Sequence, residues 1–519
     1  MAELIVPFLL ALLPILWLVV ALIALKFPAW KAAIGSFVIA CVLAFAYWRM
    51  PVGQVATASI EGWLMALWPI VLVIIAAVFT YNLCVHTGAM DVISSMITSL
   101  SSDRRVLALL VAWCFGGFME GMSGFGTAVA IPAGMLLALG FPPMQAVLVC
   151  LVANSVPTCF GSVGVPTVSL AGLVGLDPVR LAYTEMLQIA PFFVLIPFLI
   201  VLIAGAGEDG KGIGVLERLR GAGLVALVSG VSYALPALAV AAFIGPELTV
   251  VVGSLVSLVA TAVAARCMRK PDERFQMQVQ AGDKVCPKQA LRAWSCFILI
   301  FVLLMGTSKL VPAVNAFLAQ FASTVKFFYG ATSSSVTFTW INTPGVWIFL
   351  AAFVGGLIQG AKPREMAQVL GSTVKQMLPT AITMLAVLGC AKVMGYSGMI
   401  GAISAFCIAV AGALFPLVAP VIGCIGAFVT GSGTSSGLLF GSVQLQAAEA
   451  LHLDPYWIVA LNSLGVGAGK MISLQTLAIG MAAVQVVGAE GKMLNRVLPY
   501  AIGFLVLMAA LGMVGAMAL

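Results

Sequence analysis

Charged side chains are scarce in this sequence. Of its 519 residues, 8% are Asp, Glu, Lys or Arg, against about 25% in an ordinary soluble domain. This scarcity excludes a water-soluble globular fold, because too few charges are available to cover its surface. Hydrophobic residues make up 62% of the chain. They form recurring stretches of about 20 residues, each long enough to cross a hydrocarbon core of about 30 Å. We therefore predict an all-α, polytopic membrane protein with roughly a dozen helices.

Residues that build metal sites and catalytic sites are also few. The chain has two histidines, His86 and His452, and its 11 cysteines include no CxxC motif. We therefore expect no metal, no cofactor and no disulfide framework. An enzyme embedded in the membrane would need a nucleophile–base pair or a set of metal ligands. We accordingly expect that the protein is not an enzyme.

The basic residues indicate the topology. The formal net charge of +7 is spread over the loops, so we expect no nucleic-acid partner. Two polar segments, 207–220 and 266–292, are separated by two predicted spans and therefore lie on the same side. Segment 266–292 has seven Lys or Arg against three Asp or Glu, which predicts that this side is cytoplasmic. The aromatic and Ser/Thr-rich segment 317–343 is interpreted as an interfacial or extracytoplasmic loop.

An internal repeat is the most informative feature of the sequence. A shift of 310 residues aligns 68–121 with 378–431 without a gap and gives eleven identities. After a two-residue gap, Asn and Ser at 154–155 match Asn and Ser at 462–463. The most informative matches within the ungapped alignment are Pro69/Pro379, Gly88/Gly398, Cys114/Cys424, Gly116/Gly426 and Gly121/Gly431.

Duplicated halves are typical of secondary transporters, whose site lies at mid-membrane where broken helices of the two repeats meet. An inverted arrangement is preferred, although it requires an odd number of crossings between the repeats, which the sequence leaves open. We divide the chain into an N-terminal half with the first repeat, a central region of helices and polar loops, and a C-terminal half with the second repeat. These regions are 1–206 (repeat core 51–172), 207–344, and 345–519 (repeat core 363–480).

Two glycine-rich segments, 116–127 and 426–437, occupy matching positions in the repeats. A glycine inside a helix costs about 1 kcal/mol relative to alanine, so we expect each segment to break its helix. Broken backbone at membrane depth is tolerated where it is buried in protein or lines a watery cavity. A helix that restarts there presents free N–H groups, which favour a carboxylate. Close helix packing through small residues is the structural alternative.

Two ionisable residues lie within these apolar surroundings. Glu120 follows the apolar run 106–119, and Lys470 lies in the sequence GAGKMIS. Burial favours the neutral form of a carboxylic acid, so Glu120 is a candidate proton carrier. A structural hydrogen bond to a broken-helix amide or to Lys470 is the alternative. Lys470 could pair with an anionic substrate, or it could extend to the membrane interface from a helix end.

For other polar residues within apolar segments, a structural role is also open as the alternative to a functional one. Lys392 aligns with Asn82 in the first repeat, and site, interfacial and salt-bridge interpretations of it are all open. Glu61, Glu185 and Lys309 look close to helix ends and are interpreted as interfacial. Hydroxyl and amide side chains could line a polar path or join helix to helix; these are Asn154, Ser155, Thr158, Ser162, Asn462, Ser463, Ser473, Gln475 and Thr476.

The motifs of this chain resemble those of the bacterial L-lactate permease family over nearly the whole length. The motifs that carry the resemblance are EGMSGFGT (120–127), FGSVGVP (160–166), TGSGTSS (430–436) and GKMIS (469–473). That family is known for proton-coupled import of L-lactate, with D-lactate and glycolate as related substrates. It is grouped with transporters that have inverted repeats and hairpin loops, several of which are elevators.

The resemblance implies an elevator-type fold with hairpin helices, and import of a small 2-hydroxymonocarboxylate with protons across the bacterial inner membrane. The resemblance leaves open whether the protein forms a homo-oligomer. The lipid bilayer is an expected partner. The alternatives are the same fold with Na⁺ or another small carboxylate and, less favoured, a membrane-embedded enzyme. Together with the internal repeat, the resemblance assigns proton coupling to Glu120. The substrate-binding assignments are Ser123, Gly124, Gly126, Thr127, Asn154, Gly433, Thr434, Ser435, Ser436, Asn462, Lys470 and Ser473.

Three positions depart from the family pattern. Gly433 stands where the family has Asp, Leu474 where it has Pro, and Lys392 where an apolar residue is expected. If Gly433 replaces a coupling acid, more of the proton chemistry falls on Glu120, or the stoichiometry differs.

Overall fold

The computed structural model of the protein describes residues 2–25, 27–124, 126–206, 213–267, 273–277, 285–308, 311–330, 336–486 and 489–518. Within these ranges, helices form almost all of the regular structure. Helices suit a chain in lipid, because each helix satisfies its own backbone N–H and C=O groups internally.

The N-terminal half contains eleven α-helices within the described ranges. They are α1 (Ala2–Val19), α2 (Ala29–Ala46), α3 (Val52–Met65), α4 (Leu72–His86), α5 (Ala89–Thr98), α6 (Arg104–Ala108), α7 (Gly116–Met122), α8 (Thr127–Ala138), α9 (Pro143–Asn154), α10 (Gly161–Val174) and α11 (Pro178–Ala204). Short π-helical segments join α3 to α4 (Ala66–Val71) and α6 to α7 (Leu109–Phe115), and a 3₁₀ turn at Pro157–Phe160 precedes α10.

The central region and the C-terminal half complete the described elements. The central elements are α12 (Val215–Leu219), α13 (Ala222–Phe243), α14 (Pro246–Cys267), α15 (Pro287–Thr307), α16 (Pro312–Ala319), β1 (Ala322–Val325) and β2 (Val336–Thr339). They are followed by α17 (Pro344–Gln359), α18 (Pro363–Ser397), α19 (Met399–Ala411), α20 (Phe415–Thr430), α21 (Gly433–Ala450), α22 (Pro455–Ile472), α23 (Leu474–Ala483) and α24 (Glu490–Ala518).

The number of membrane spans agrees with the expectation of roughly a dozen. Within the described ranges, 12 helices are long and apolar enough to cross a membrane, or up to 13 if the bent pair α22–α23 forms one span. Large apolar side chains such as Val42, Val259 and Val506 are exposed on the outside of the bundle. An outward-facing apolar surface is what a lipid environment requires, so the prediction of a polytopic helical membrane protein is confirmed.

The two predicted repeats contain the same elements in the same order. Each begins with a 35-residue helical segment, at 52–86 and 363–397. A glycine with positive φ follows each segment, Gly88 at +73° and Gly398 at +97°, and a shorter helix begins directly after it. A residue with a Cβ is strained at such φ values, which explains why glycine occupies both positions. A helical hairpin and then a broken helix complete each repeat.

The two 35-residue segments lie antiparallel to each other. Asn82 on α4 donates a hydrogen bond to Thr373 on α18, with 2.9 Å between Nδ2 and Oγ1. Further along, Glu61 on α3 pairs with Lys392 on α18 at 2.9 Å between Oε1 and Nζ. Residue numbers therefore rise along one segment in the direction in which they fall along the other.

The segment 317–343, which we expected to be a loop, contains a small β-hairpin. Strands β1 and β2 pair antiparallel, with Ala322 opposite Thr339 and Val325 opposite Val336. The hairpin lies between α15 and α17, at the end of α15 that is distant from the basic segment 266–292. By the positive-inside rule, this hairpin is expected on the extracytoplasmic side.

Candidate functional site

The first glycine-rich segment forms the tip of a helical hairpin. The helix continues through Gly116 to Met122, and α8 starts at Thr127, so the break is shorter than the predicted segment. Gly124 and Gly126 in this tip have φ values of +61° and +86°. A side chain is disfavoured at both positions, and this explains why the sequence places glycine there.

The second glycine-rich segment forms the tip of the corresponding hairpin of α20 and α21. The two arms are antiparallel, since Ser436 Oγ donates to the Gly423 carbonyl (2.9 Å) and Gln444 Nε2 donates to the Ala419 carbonyl (3.0 Å). The break is confined to Gly431 and Ser432. Ser432 caps α21 by accepting a hydrogen bond from the Ser435 N–H at 3.2 Å, so the predicted break is confirmed but narrower.

Two broken helices face these hairpin tips. Between α9 and the regular part of α10, the chain passes through Ser162, Val163 and Gly164 with φ values of +46°, +57° and +73°. In the second repeat, α22 and α23 meet at Ser473 with a bend of 49°. Ser473 caps α23 by accepting a hydrogen bond from the Thr476 N–H at 3.2 Å. Each repeat therefore contributes one hairpin tip and one helix break.

The tips and breaks surround a cavity of about 300 Å³. This volume accommodates a small organic acid together with a few waters, each of which occupies about 30 Å³ in the liquid. Polar groups of both repeats, including two threonines of α18, line the cavity: Glu120, Thr158, Ser162, Thr380, Thr383, Thr430, Ser432, Thr434, Ser435, Lys470, Gln475 and Thr476. The two repeats thus meet around one polar space, as the duplicated sequence predicts.

A buried ion pair joins the repeats at this cavity. Lys470 Nζ lies 2.6 Å from Glu120 Oε1, and the two residues are 7% and 2% exposed. Among the described residues that line the cavity, these two are the ionisable ones. Glu120 Oε2 is buried without a hydrogen-bond partner among the described residues. A lysine ammonium has three N–H donors, so the pair leaves hydrogen-bonding capacity for a further group.

Glycine at position 161 permits the close approach of Glu120 to this part of α10. A Cβ at Gly161 would lie 2.6 Å from Glu120 Oε1, which is too close for two non-bonded atoms. We therefore expect Gly161→Ala to displace the carboxylate and to reduce the rate of substrate exchange in proteoliposomes by about tenfold, equivalent to about 1.4 kcal/mol.

The matched control for Gly161→Ala is Gly134→Ala on α8. A Cβ at Gly134 has its nearest neighbour, the Ala483 carbonyl oxygen, at 3.9 Å, which is an ordinary contact. We expect this variant to exchange substrate at the wild-type rate. Equal rates for the two alanine variants would contradict a role for the close approach to Glu120.

The predicted site residues fall into two groups in the structure. Residues that line the cavity are Glu120, Gly126, Gly433, Thr434, Ser435 and Lys470. The others support its walls: Ser123, Gly124, Thr127, Asn154, Ser436, Asn462 and Ser473. Two examples illustrate this support. Ser123 accepts a hydrogen bond at its carbonyl from Ser162 Oγ (2.7 Å), and Asn462 Oδ1 accepts one from Gln444 (3.3 Å).

Gly433, which departs from the family pattern, begins α21 at the cavity. A Cβ at this position would lie 3.0 Å from Val466 Cγ1 and 3.4 Å from Thr158 Cγ2. An aspartate there would require these neighbours to shift. Within the described lining, Glu120 is accordingly the carboxylic acid of the cavity.

Sequence reasoning missed the contribution of α18 to the cavity. Thr380 and Thr383 line it one turn apart, next to Pro379. The signal available in the sequence was the match of Pro379 to Pro69 across the repeat, followed by small hydroxyl residues in an apolar helix. Trp30, at the start of α2, also lines the cavity, and no sequence pattern singles it out.

Two carboxylic acids interpreted as interfacial are buried inside the protein, so that interpretation was wrong for them. Lys309, which was interpreted in the same way, lies outside the described residues. Glu61 is 0% exposed and pairs with Lys392, as the salt-bridge interpretation of this lysine predicts. Glu185 is also 0% exposed, and its Oε2 accepts a hydrogen bond of 2.5 Å from Thr167 Oγ1. A single sequence does not reveal that these acids face partners on other helices.

A helical, multi-pass membrane protein in which two hairpin tips and two helix breaks enclose a polar cavity belongs to the class of membrane transporters. Its similarity to known proteins defines the family. A family model described as L-lactate permease matches residues 7–518, and the chain belongs to this family. The resemblance inferred from the sequence motifs is thereby confirmed, and the protein is a transporter of the bacterial inner membrane.

Curated relatives cover most of the chain. The L-lactate permease of Streptococcus iniae is 38% identical over 88% of this chain and 94% of its own length. The glycolate permease GlcA of Escherichia coli K12 is 32% identical over 96% of this chain and 93% of its own length. Among solved structures, MtrF of Neisseria gonorrhoeae, described as illuminating a class of antimetabolite efflux pumps, aligns with a TM-score of 0.51 and 14% identity. This alignment covers 94% of this chain and 95% of that one, and at this identity it supports the fold alone.

Proposed function

We propose that this protein imports L-lactate, or a related 2-hydroxymonocarboxylate such as D-lactate or glycolate, together with protons. The observation that carries the proposal is the buried pair of Glu120 and Lys470 at the central cavity, 2.6 Å apart. The Lys470 ammonium already binds a buried carboxylate, so the carboxylate of a substrate can bind there by taking the place of Glu120. The names of the relatives, L-lactate permease and glycolate permease, support this choice of substrate class.

The substrate carboxylate takes the place of Glu120 at the Lys470 ammonium. Two helices begin beside it, α21 at Gly433 and α23 at Leu474. The first N–H groups of a helix have no partner within the helix, and the helix dipole favours an anion at that end. Lysine and helix termini therefore attract the same carboxylate from adjoining walls of the cavity.

Proton coupling follows from the charge of the loaded site. When the substrate occupies Lys470, Glu120 loses its counter-charge while it stays buried, and burying an unpaired charge is costly. Uptake of one proton by Glu120 removes that cost. The empty pair and the loaded site with one substrate and one proton are then both electrically neutral, which lowers the cost of moving either across the membrane.

The hydroxyl of the substrate requires a hydrogen-bond partner at the cavity wall. Ser435 lines the cavity, and its Oγ has no partner among the described residues, so this hydroxyl is our first choice. The other amide and hydroxyl candidates from the sequence, Asn154, Asn462 and Ser473, lie behind the lining. They act by holding the helices that position Ser435 and Lys470.

An elevator-like movement of inverted repeats is the transport cycle that we propose for this fold. Support comes from the antiparallel course of 52–86 and 363–397, and from the common order of elements in the repeat cores 51–172 and 363–480. In this cycle, the hairpins and broken helices carry the cavity past α3, α4 and α18. Use of Na⁺ in place of protons is the alternative within the same fold.

A competition experiment tests the substrate class. Proteoliposomes that contain the purified protein are loaded with unlabelled L-lactate. The exchange of this internal L-lactate for labelled external L-lactate is then measured in Na⁺-free buffer. We expect D-lactate and glycolate to compete about tenfold better than propionate, which lacks the hydroxyl. One hydrogen bond contributes about 0.5 to 1.5 kcal/mol, and 1.4 kcal/mol corresponds to a factor of ten.

Two results of this experiment would contradict the proposal. Equal competition by propionate and glycolate would exclude recognition of the 2-hydroxyl group. Exchange that appears only after Na⁺ is added, at fixed membrane potential, would favour the sodium-coupled alternative.

A further inference from the structure

A second cavity lies apart from the central one, next to the β-hairpin. It has a volume of about 460 Å³. Its walls come from the kinked segment between α3 and α4, from α18, from α10 and from strand β2. The cavity therefore lies where the 35-residue segments meet an arm of the first broken helix.

The charged group at this cavity is the ion pair of Lys392 and Glu61. Lys392 lines the cavity, and its Nζ lies 2.9 Å from Glu61 Oε1. Tyr396 donates a hydrogen bond of 2.7 Å to the same oxygen, whereas Glu61 Oε2 is buried without a partner among the described residues. Lys392 thus forms part of the cavity wall, and Glu61, which pairs with its ammonium, is not among the described lining residues.

An unpaired hydroxyl on the opposite wall gives an independent indication of a ligand. Ser169 on α10 lines the cavity and is 5% exposed. Its Oγ has no hydrogen-bond partner among the described residues. A buried hydroxyl without a partner costs about 1 to 3 kcal/mol, which a bound polar group would remove.

The chemistry of the second cavity repeats that of the first. In both, an acid of the first repeat pairs with a lysine of the second repeat: Glu120 with Lys470 and Glu61 with Lys392. In both, one carboxylate oxygen is unpartnered within the described structure, and an unpartnered serine hydroxyl, Ser435 or Ser169, lies in the lining.

The β-hairpin is attached to the helices that bound this cavity. Trp68 Nε1 donates a hydrogen bond of 2.9 Å to the Thr339 carbonyl. Phe328 stacks on Tyr396 with 3.8 Å between ring centroids, and Tyr396 is the residue that holds Glu61. The hairpin, which we expect on the extracytoplasmic side, therefore covers the cavity from that side.

We propose that the second cavity is a binding site for a small monocarboxylate, where substrate waits before it reaches the central site. The Lys392 ammonium binds the carboxylate, and the Ser169 hydroxyl donates a hydrogen bond to it. Glu61 shares the ammonium and keeps the affinity low, since a site on a transport route must release its ligand. The identity of the anion as L-lactate or glycolate rests on the proposed function.

Binding stoichiometry tests this inference on the full-length protein in lipid nanodiscs. Equilibrium dialysis with labelled L-lactate is expected to give two sites per chain. The double variant Glu61→Gln/Lys392→Met, which removes both charges together, is expected to retain one. Lys375→Met changes an exposed lysine of the same helix and should retain two.

The outcomes separate this inference from the proposed function. Loss of one site in Glu120→Gln/Lys470→Met, with the other site kept, supports both. One site in the wild type that is unchanged by Glu61→Gln/Lys392→Met would overturn the second site and leave the central site standing. A single wild-type site that is lost in Glu61→Gln/Lys392→Met but kept in Glu120→Gln/Lys470→Met would instead overturn the central site.

A chemical readout tests the second site without relying on lactate. Ser169→Cys is treated with an anionic methanethiosulfonate reagent, and the modified peptide is quantified by mass spectrometry. We expect Lys392→Met in this background to slow the modification about tenfold, and to leave the rate for a cationic reagent of similar size undiminished. Equal slowing of both reagents, or of neither, would overturn anion binding at Lys392.

Discussion

Replacement of Lys470 by methionine is expected to lower exchange of L-lactate in proteoliposomes at least about 30-fold. Loss of one partner of a buried charge pair costs about 2 to 5 kcal/mol, and each 1.4 kcal/mol is a factor of ten. The substrate loses its cation, so exchange and gradient-driven uptake fall together. Initial rates of labelled L-lactate exchange, normalised to reconstituted protein, measure the effect.

The variant must be separated from a folding defect. Lys470→Met leaves the Glu120 carboxylate buried and unpaired, which by itself destabilises a protein by about 3 to 5 kcal/mol. Glu120→Gln/Lys470→Met removes both charges and should restore a monodisperse protein but not exchange. Lys492→Met, at an exposed position of α24, is the matched control and should exchange normally. Recovery of exchange in the double variant would contradict carboxylate binding at Lys470.

Replacement of Glu120 by glutamine is expected to separate exchange from accumulation. Glutamine keeps an acceptor for the Lys470 ammonium at nearly the same shape but does not take up a proton in the cycle. Exchange of L-lactate should therefore stay within about a factor of ten of the wild type. Accumulation driven by a pH gradient should be lost.

The comparison for this variant uses the same vesicles under two conditions, exchange without a gradient and uptake with the interior alkaline. Glu449→Gln, at an exposed position near the end of α21, is the matched control and should accumulate substrate normally. Gradient-driven accumulation by Glu120→Gln at the wild-type level would show that another group carries the proton.

Much of the architecture was predictable from composition and duplication. The long apolar stretches determine the helices, and the matched pairs Gly88/Gly398 and Gly121/Gly431 determine where the repeats correspond. The positions of the breaks were predictable only approximately, because glycine lowers helix stability without specifying a turn. In the structure, the first break falls after the end of α7 at Met122 and before the start of α8 at Thr127, and the second is confined to Gly431 and Ser432.

Partners across the fold were harder to predict than single residues. Glu120 and Lys470 were each identified as exceptional, and their contact appeared only as one alternative, since they are 350 positions apart. The contact of Glu61 with Lys392 was not predicted, because Glu61 looked interfacial and a salt bridge was one of three open interpretations of Lys392. A periodic pattern reports which face of a helix is buried, and it does not report which helix lies opposite.

The departures from the family pattern acquire a physical meaning from the structure. Gly433 lies against Val466 and Thr158, so Glu120 is the acid of the described cavity lining. Lys392, which stands where an apolar residue was expected, has an acid beside it and a cavity in front of it. Both departures lie close to the route that the substrate would follow.

Uptake of labelled L-lactate by wild-type proteoliposomes in Na⁺-free buffer, with the interior alkaline, tests the central claim most directly. We predict accumulation above the external concentration, which a protonophore abolishes. Accumulation that ignores the protonophore, or an absence of uptake by well-reconstituted protein, would contradict carboxylate–proton import through Glu120 and Lys470.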